Sequence, residues 1–177
     1  MNWERNISGY SISILNFLLC ILLLTGCGGE EHIADDQNIV ISSADLKDGE
    51  WDEVITNTAF GENKSPQLSW NAIDGAGCYA IIMIDPDGNN WLHWIETDIK
   101  QNDIPTGYSS NDKYIGPYPP GGTHHYIIYV YALKEPRNVS SARFDQGSNN
   151  IDMIQDELME DENCLGYGMI EGTYTAR

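Results

Sequence analysis

Two histidines and two aspartates stand where apolar runs give way to polar, turn-forming segments. Asp85-Pro86-Asp87-Gly88 closes the run Cys78 to Ile84, and His93 lies inside the next run, between Trp91 and Trp94. His124 opens a third run, directly behind Tyr114-Ile115-Gly116-Pro117-Tyr118-Pro119-Pro120-Gly121-Gly122. An imidazole in such apolar company must satisfy its ring nitrogens, and a nearby carboxylate is the usual partner. One histidine of this kind is more often structural than functional. Two of them, with two aspartates and a Gly-Pro loop gathered at segment ends, point to a shared polar site.

Several chemistries suit these residue types. Histidine and aspartate together can hold zinc or iron for a hydrolase, but no closely spaced signature such as HExxH occurs, so no metal is assigned. Asp85, Asp87, Asn89 and Glu96 fall at positions 1, 3, 5 and 12 of a calcium-loop register. That loop needs glycine at position 6, where Asn90 sits, and helices on both sides, where strands are expected. No GxSxG elbow presents a serine nucleophile. No catalytic residue and no cofactor are assigned, and the expectation is a binding protein rather than an enzyme.

The elements that must position these side chains read as strands. Cys78 to Ile84 is apolar at successive positions, the pattern of a strand buried on both faces. Trp91 to Ile95 and Tyr126 to Leu133 are rich in β-branched and aromatic residues and read the same way. Strict alternation puts His93 on the face of Trp91 and Ile95, and His124 on the face of Tyr126 and Ile128. Shorter strands are expected at 39–43, at 67–70 and at 171–174, with a turn at 74–77. Segment 44–66 reads as loops and short strands. Segment 100–123 is dense in Gly, Pro, Asn and Ser, and a loop of that length in a compact domain is usually functional. One helix is expected at 151–160, with Ile151, Ile154 and Leu158 on its buried stripe and Ser148 or Asn150 as its cap. The class is mainly β, an antiparallel sandwich with minor helix.

Composition excludes some partners. The chain carries 27 acidic against 9 basic residues, a formal charge of −18. A surface this acidic repels phosphate backbones, so nucleic acid is not a partner, nor is electrostatic docking on anionic lipid expected.

The N-terminal segment has its own logic. Residues 12–24 form an uncharged apolar run too short to span a bilayer, for which about 20 residues are wanted, but suited to the core of a secretory signal. Leu24-Thr25-Gly26-Cys27 follows it and resembles the bacterial lipobox, in which the cysteine is acylated and becomes the new N-terminus. A plain signal peptide containing a cysteine and an uncleaved anchor helix are the alternatives. The expected organisation is a lipoprotein signal over 1–26, acylated Cys27 with a polar tether to residue 38, and one domain over 39–177. The acyl chains would supply the membrane attachment and place the protein in a bacterial cell envelope. Cys20 leaves with the signal, and His32 in the tether is a solvated side chain. Cys78 and Cys164 remain in the domain, either as a disulfide suited to an oxidising compartment or as two separately buried thiols. Asn138-Val139-Ser140 scans as a glycosylation acceptor, idle in a bacterial source.

Taken in order, Ser65-Pro66-Gln67-Leu68-Ser69-Trp70, Asp85-Pro86-Asp87, Leu92-His93-Trp94, the Tyr114 to Pro120 loop, His124-His125-Tyr126 and the closing Gly172-Thr173-Tyr174 resemble the phosphatidylethanolamine-binding protein family, in its bacterial Raf-kinase-inhibitor-like branch. The resemblance spans roughly residues 39–175. It implies a β-sandwich with a small pocket at one end for phosphate-like or carboxylate anions or for a phospholipid head group. Carried over by position, the ligand-binding residues are Asp85, Asp87, His93, Gly116, His124 and Tyr126. Imidazole N–H groups, the tyrosine hydroxyl and loop N–H groups are the expected donors. The aspartates, which cannot touch an anion while ionised, would orient the histidines or meet an ammonium group. His125 stands where the family has arginine, and Gly88-Asn89-Asn90 where it commonly has Ala-Pro. Because the family includes inhibitors of kinases and peptidases, regulation of such an enzyme by protein contact is the alternative function.

Overall fold

Every residue of strand β5 (Cys78–Asp85) is buried, because the strand is flanked by a neighbour on each side within the larger of two sheets and is covered on both faces. The structure, a computed structural model, describes residues 39–177. The expected signal over 1–26, Cys20, the expected acylation at Cys27, His32 and the expected tether all lie outside the described residues.

The remaining elements are β1 (Ile41–Ser42), β2 (Leu46–Lys47), β3 (Glu50–Trp51), β4 (Leu68–Trp70), β6 (Trp91–Ile99), β7 (Asp103–Ile104), β8 (Thr123–Leu133), helix α1 (Ile151–Met159) and β9 (Cys164–Thr175). The larger sheet runs β2-β3-β9-β8-β5-β6 and the smaller β1-β4-β7. Pairing is antiparallel throughout except between β3 and β9. The mainly β class with minor helix is what the sequence predicts.

Alternation along β5 divides the interior. Tyr79, Ile81 and Met83 face the layer between the sheets, where they meet Leu68, Trp70, Ile104, Ile128 and Val130. Cys78, Ala80, Ile82 and Ile84 face a second core, closed by Ile154 and Leu158 of α1 with Tyr131 and Leu133. The helix begins at Asn150, whose side chain accepts from the Met153 N–H, so asparagine rather than Ser148 is the cap.

Two expectations need correction, and one open alternative is resolved. The terminal strand is not a four-residue piece but the whole of β9, paired with β8 from Thr123↔Thr175 to Leu133↔Cys164. Glycine has low strand propensity and obscures it in the sequence, yet the glycines are demanded by close approach. A Cβ on Gly168 would lie 2.0 Å from the Ile39 carbonyl oxygen, and one on Gly172 would lie 2.3 Å from Leu46 Cδ1. The second strand runs on past Ile95 to Ile99. Finally, no disulfide joins Cys78 and Cys164. Both pair with Leu133, from opposite sides of β8. Two strand spacings of about 4.8 Å separate them, beyond the ~7 Å that a disulfide tolerates between Cα atoms.

Candidate functional site

At the end of the inter-sheet layer the last residue of β5, the first residues of β6 and the first of β8 come together around a pocket of about 510 Å³. It is lined by Asp85, Asp87, Gly88, His93, Gly116 and His124, with Asn57, Trp91, Ile115, Tyr118, Pro120 and Asp145. Five of the six ligand-binding residues taken from the sequence therefore line one recess. The sixth, Tyr126, lies beneath it.

His93 reaches the pocket through an irregularity. Asp85 pairs with Trp91 and Ile84 with Leu92, but Met83 pairs with Trp94, so His93 is the extra residue of a β-bulge. The bulge puts Trp94 on the inter-sheet face beside His93 and turns Ile95 to the opposite core. Strict alternation thus groups His93 with Trp91 correctly and with Ile95 wrongly. His93 Nδ1 lies 2.8 Å from the Ile115 carbonyl oxygen, while the Ile115 N–H donates back to the His93 carbonyl at 2.9 Å. A carbonyl only accepts, so Nδ1 carries the hydrogen. Burial pushes the His93 pKa down, outweighing that bond and the nearby charge of Asp85.

His124 is held in a parallel manner. Its Nδ1 lies 2.7 Å from Asp85 Oδ2, and the other Asp85 oxygen accepts the Gly88 N–H at 2.7 Å. Asp85 is only 4 % exposed, so this carboxylate is spent on orienting the ring and closing the Asp85–Gly88 turn. Asp87, by contrast, is half exposed and accepts from both the backbone N–H and Nδ1 of His125, each at 2.8 Å. His125 therefore ties the start of β8 to the turn that carries Asp87. The two His125 bonds hold the Asp87 carboxyl below its ordinary value, and the bond to Asp87 raises His125.

Tyr126 packs its ring against His93 in a T shape, centroids 5.3 Å apart, and stacks on His124 at 6.4 Å. Among the described residues its buried hydroxyl makes no well-formed hydrogen bond, although it lies close to the Asp85 carboxylate. Burial, and then the neighbouring charge of Asp85, push its pKa far up, so it stays protonated. The tyrosine positions the two imidazoles; it does not line the recess.

The Gly116 loop forms one wall because it is pinned from behind. Tyr114 donates its hydroxyl to the Ile55 carbonyl at 2.8 Å, the Asn57 N–H donates to Pro117, and Gly116 donates its N–H to Asn63 Oδ1 at 2.7 Å. The expected loop donor is thus already occupied. Gly116 is glycine because a Cβ there would sit 2.1 Å from the Ile55 carbonyl oxygen. The same pinning brings Asn57 to the recess, and among the described residues its side-chain amide makes no hydrogen bond.

The opposite wall is a clasp between the 88–90 and 143–149 loops. Leu92 and the 145–146 pair exchange backbone bonds at 3.0 Å, and the Asn149 amide donates to Asn90, Arg143 and Gln146. Asn89, Asn90, Asp145 and Ser148 all hold left-handed φ between 52° and 59°. Backbone strain of this kind persists only where surrounding structure over-determines it. The clasp delivers Asp145, whose carboxylate accepts the Trp91 indole N–H at 3.3 Å. Among the described residues Asp145 pairs with no cation.

Sequence reasoning misses Asn57 and Asp145, which come from segments without a motif. Trp91, Tyr118 and Pro120 were within sight, since each lies inside a segment already singled out. Among the described residues no cluster of three or more His, Cys, Asp or Glu side chains is arranged to hold a metal ion.

The chemistry is that of a donor-poor, proton-sensitive recess. Each pocket imidazole commits Nδ1–H to the protein, leaving Nε2 as the nitrogen available to a guest. A neutral Nε2 accepts, so an anion is held either through a protonated ring or through a hydroxyl hydrogen that the anion itself carries.

Comparison with known proteins agrees with this architecture. The family model for phosphatidylethanolamine-binding protein matches residues 42–175. A UPF0098 protein of Methanothermobacter thermautotrophicus is 33 % identical over 139 residues, which is 66 % of this chain and 86 % of that one. A phosphatidylethanolamine-binding-protein homologue of Chlamydia trachomatis superposes with a TM-score of 0.61 at 20 % identity, covering 81 % of this chain and all of that one. Escherichia coli YbcL, described as a member of the mammalian family, superposes with a TM-score of 0.57 at 22 % identity, over 78 % and 99 % of the two chains.

Proposed function

Since the chain belongs to the phosphatidylethanolamine-binding protein family, we propose that its recess binds a small phosphate- or carboxylate-type anion, free or as a head group. The observation that carries this reading is the pair of imidazoles, each tied at Nδ1 to an internal acceptor. Their second nitrogens are thereby held ready beside the Asn57 amide. A monoprotonated phosphate fits best, because its hydroxyl can donate to one Nε2 while its other oxygens accept from Asn57 and a protonated ring. The unpaired carboxylate of Asp145 favours a guest that also carries an ammonium group.

The test is an NMR titration of the histidine ring signals with inorganic phosphate, phosphoethanolamine and acetate. His93 and His124 should both move on adding phosphate. Silence from both overturns the reading and leaves inhibition of a kinase or peptidase through protein contact as the function to pursue.

We further propose that the protein is an exported lipoprotein of the Raf-kinase-inhibitor-like branch, anchored in a bacterial envelope membrane through acyl chains on Cys27. The apolar run and the Leu24-Thr25-Gly26-Cys27 segment support it. Cys27→Ser should release the protein from the membrane fraction, and full retention would refute the anchor.

A further inference from the structure

A second hollow, of about 410 Å³, adjoins the first and shares Tyr118 and Pro120 with it. Its other walls include Phe60, Pro119, Tyr174 and Arg177. Phe60 and Tyr118 are each 67 % exposed, two large aromatic faces left in water at the mouth of a candidate pocket. Contiguous apolar surface of this kind on a soluble domain marks an interaction site more often than an accident.

Phe60 is displayed by a tight turn and not by a loose loop. Its N–H donates to Thr58 Oγ1 at 3.2 Å, the Gly61 N–H donates to the Thr58 carbonyl at 3.3 Å, and the Thr56 hydroxyl donates to the Glu53 carbonyl at 2.9 Å. A Cβ on Gly61 would lie 2.1 Å from the Thr56 carbonyl oxygen, so the turn is packed close against the segment beneath it.

Charge also separates this hollow from its surroundings. The chain carries 27 acids, yet no acid lines the second hollow. Its one cation, Arg177, lies 3.2 Å from each carboxylate oxygen of Glu53 and is neutralised there. Nothing in it is arranged to grip a second ionic group, and what remains is aromatic and proline surface.

We propose that the second hollow seats the apolar arm of the ligand whose anionic group occupies the first. The guest is then a monoester or carboxylate with a short alkyl or aryl substituent, not a free inorganic ion. This rests on the anion reading of the first pocket, with Tyr118 and Pro120 as the ridge over which the arm passes.

The experiment is a titration of the domain with inorganic, methyl, butyl, hexyl and phenyl phosphate, all below their aggregation limits. Affinity should rise about twofold for each added methylene, half of what full burial supplies, or roughly 30-fold from methyl to hexyl. Amides of residues 58–60 and 176–177 should shift with hexyl but not with methyl phosphate. Phe60→Ala should flatten the series while leaving inorganic and methyl phosphate affinity unchanged, and Phe60→Leu should restore most of the slope. A flat series in the unaltered protein, with phosphate bound, overturns the second subsite and leaves the first pocket intact. A rising series that survives Phe60→Ala without shifts at 58–60 also overturns it. Failure of every phosphate to bind removes both proposals together.

Discussion

His124 donates its Nδ1 hydrogen to Asp85 Oδ2 over 2.7 Å, and this bond decides which ring nitrogen is left for a guest. Asp85→Asn keeps an acceptor for the Gly88 N–H but removes the charge. Because hydrogen bonds to charged groups are worth about 1.5–3 kcal/mol, stability should fall by about 2 kcal/mol in denaturant unfolding. Phosphate affinity should drop by about tenfold, since the His124 ring loses the charged acceptor that fixes its orientation. Unchanged phosphate affinity in the folded variant would show that Asp85 serves the fold alone.

Tyr126→Phe removes a buried hydroxyl that lies close to Asp85 but makes no well-formed hydrogen bond among the described residues. An unsatisfied buried polar group costs about 1–3 kcal/mol, so the variant should be more stable than the parent by about 1 kcal/mol. Thermal and denaturant unfolding check this. A loss of stability would mean that the hydroxyl finds a partner in solution.

Gly116→Ala forces a methyl group to within 2.1 Å of the Ile55 carbonyl oxygen. The 53–57 segment must retreat, at a cost of about 1–3 kcal/mol for overpacking, and it carries Asn57 away from the recess. Stability and phosphate affinity should decline together, whereas Asn57→Ala should lower affinity with stability nearly unchanged.

The two exposed partners Asp87 and His125 give a pH signature. The His125 pKa is raised by its bond to Asp87, so its contribution is full below about 6.5 and is lost as pH rises through the higher folded value. The Asp87 pKa is lowered, so its contribution is full above about 3.8 and is lost as pH falls through the lower folded value. The pair is therefore strongest between about pH 4 and 6.5. In an NMR titration His125 should titrate above 6.5 and His93, depressed by burial, below it. The reverse order would contradict the geometry.

Asp145→Asn removes the one pocket carboxylate that, among the described residues, pairs with no cation. Inorganic phosphate should bind several-fold more tightly to the variant and phosphoethanolamine should not, because the second guest loses its ammonium partner. Isothermal titration of both guests reads the difference. Equal gains for the two would show that Asp145 faces no ammonium.

Much of this is legible in the chain itself. The β5 and β8 runs declare themselves by composition, because a strand covered on both faces must be apolar at every position. Alternation is enough to put His124 and Tyr126 on one face. The helix shows through its stripe of Ile151, Ile154 and Leu158. β9 is hidden because its glycines answer to neighbours distant in sequence, Ile39 and Leu46, and not to strand propensity. His93 is half legible: its type and place are plain, but the bulge that turns Ile95 away depends on how β6 registers against β5.

By itself the sequence determined the apolar runs of β5 and β8, the acidic charge and the presence of paired histidines and aspartates, since each follows from local pattern and residue chemistry. Only the tertiary structure decided that Asp85 serves His124 while Asp87 serves His125, that the Gly116 N–H is already occupied, and that Asn57 and Asp145 complete the recess. Those outcomes depend on register and loop packing between segments tens of residues apart, and a hydrogen bond is settled by ångströms that no one-dimensional pattern records.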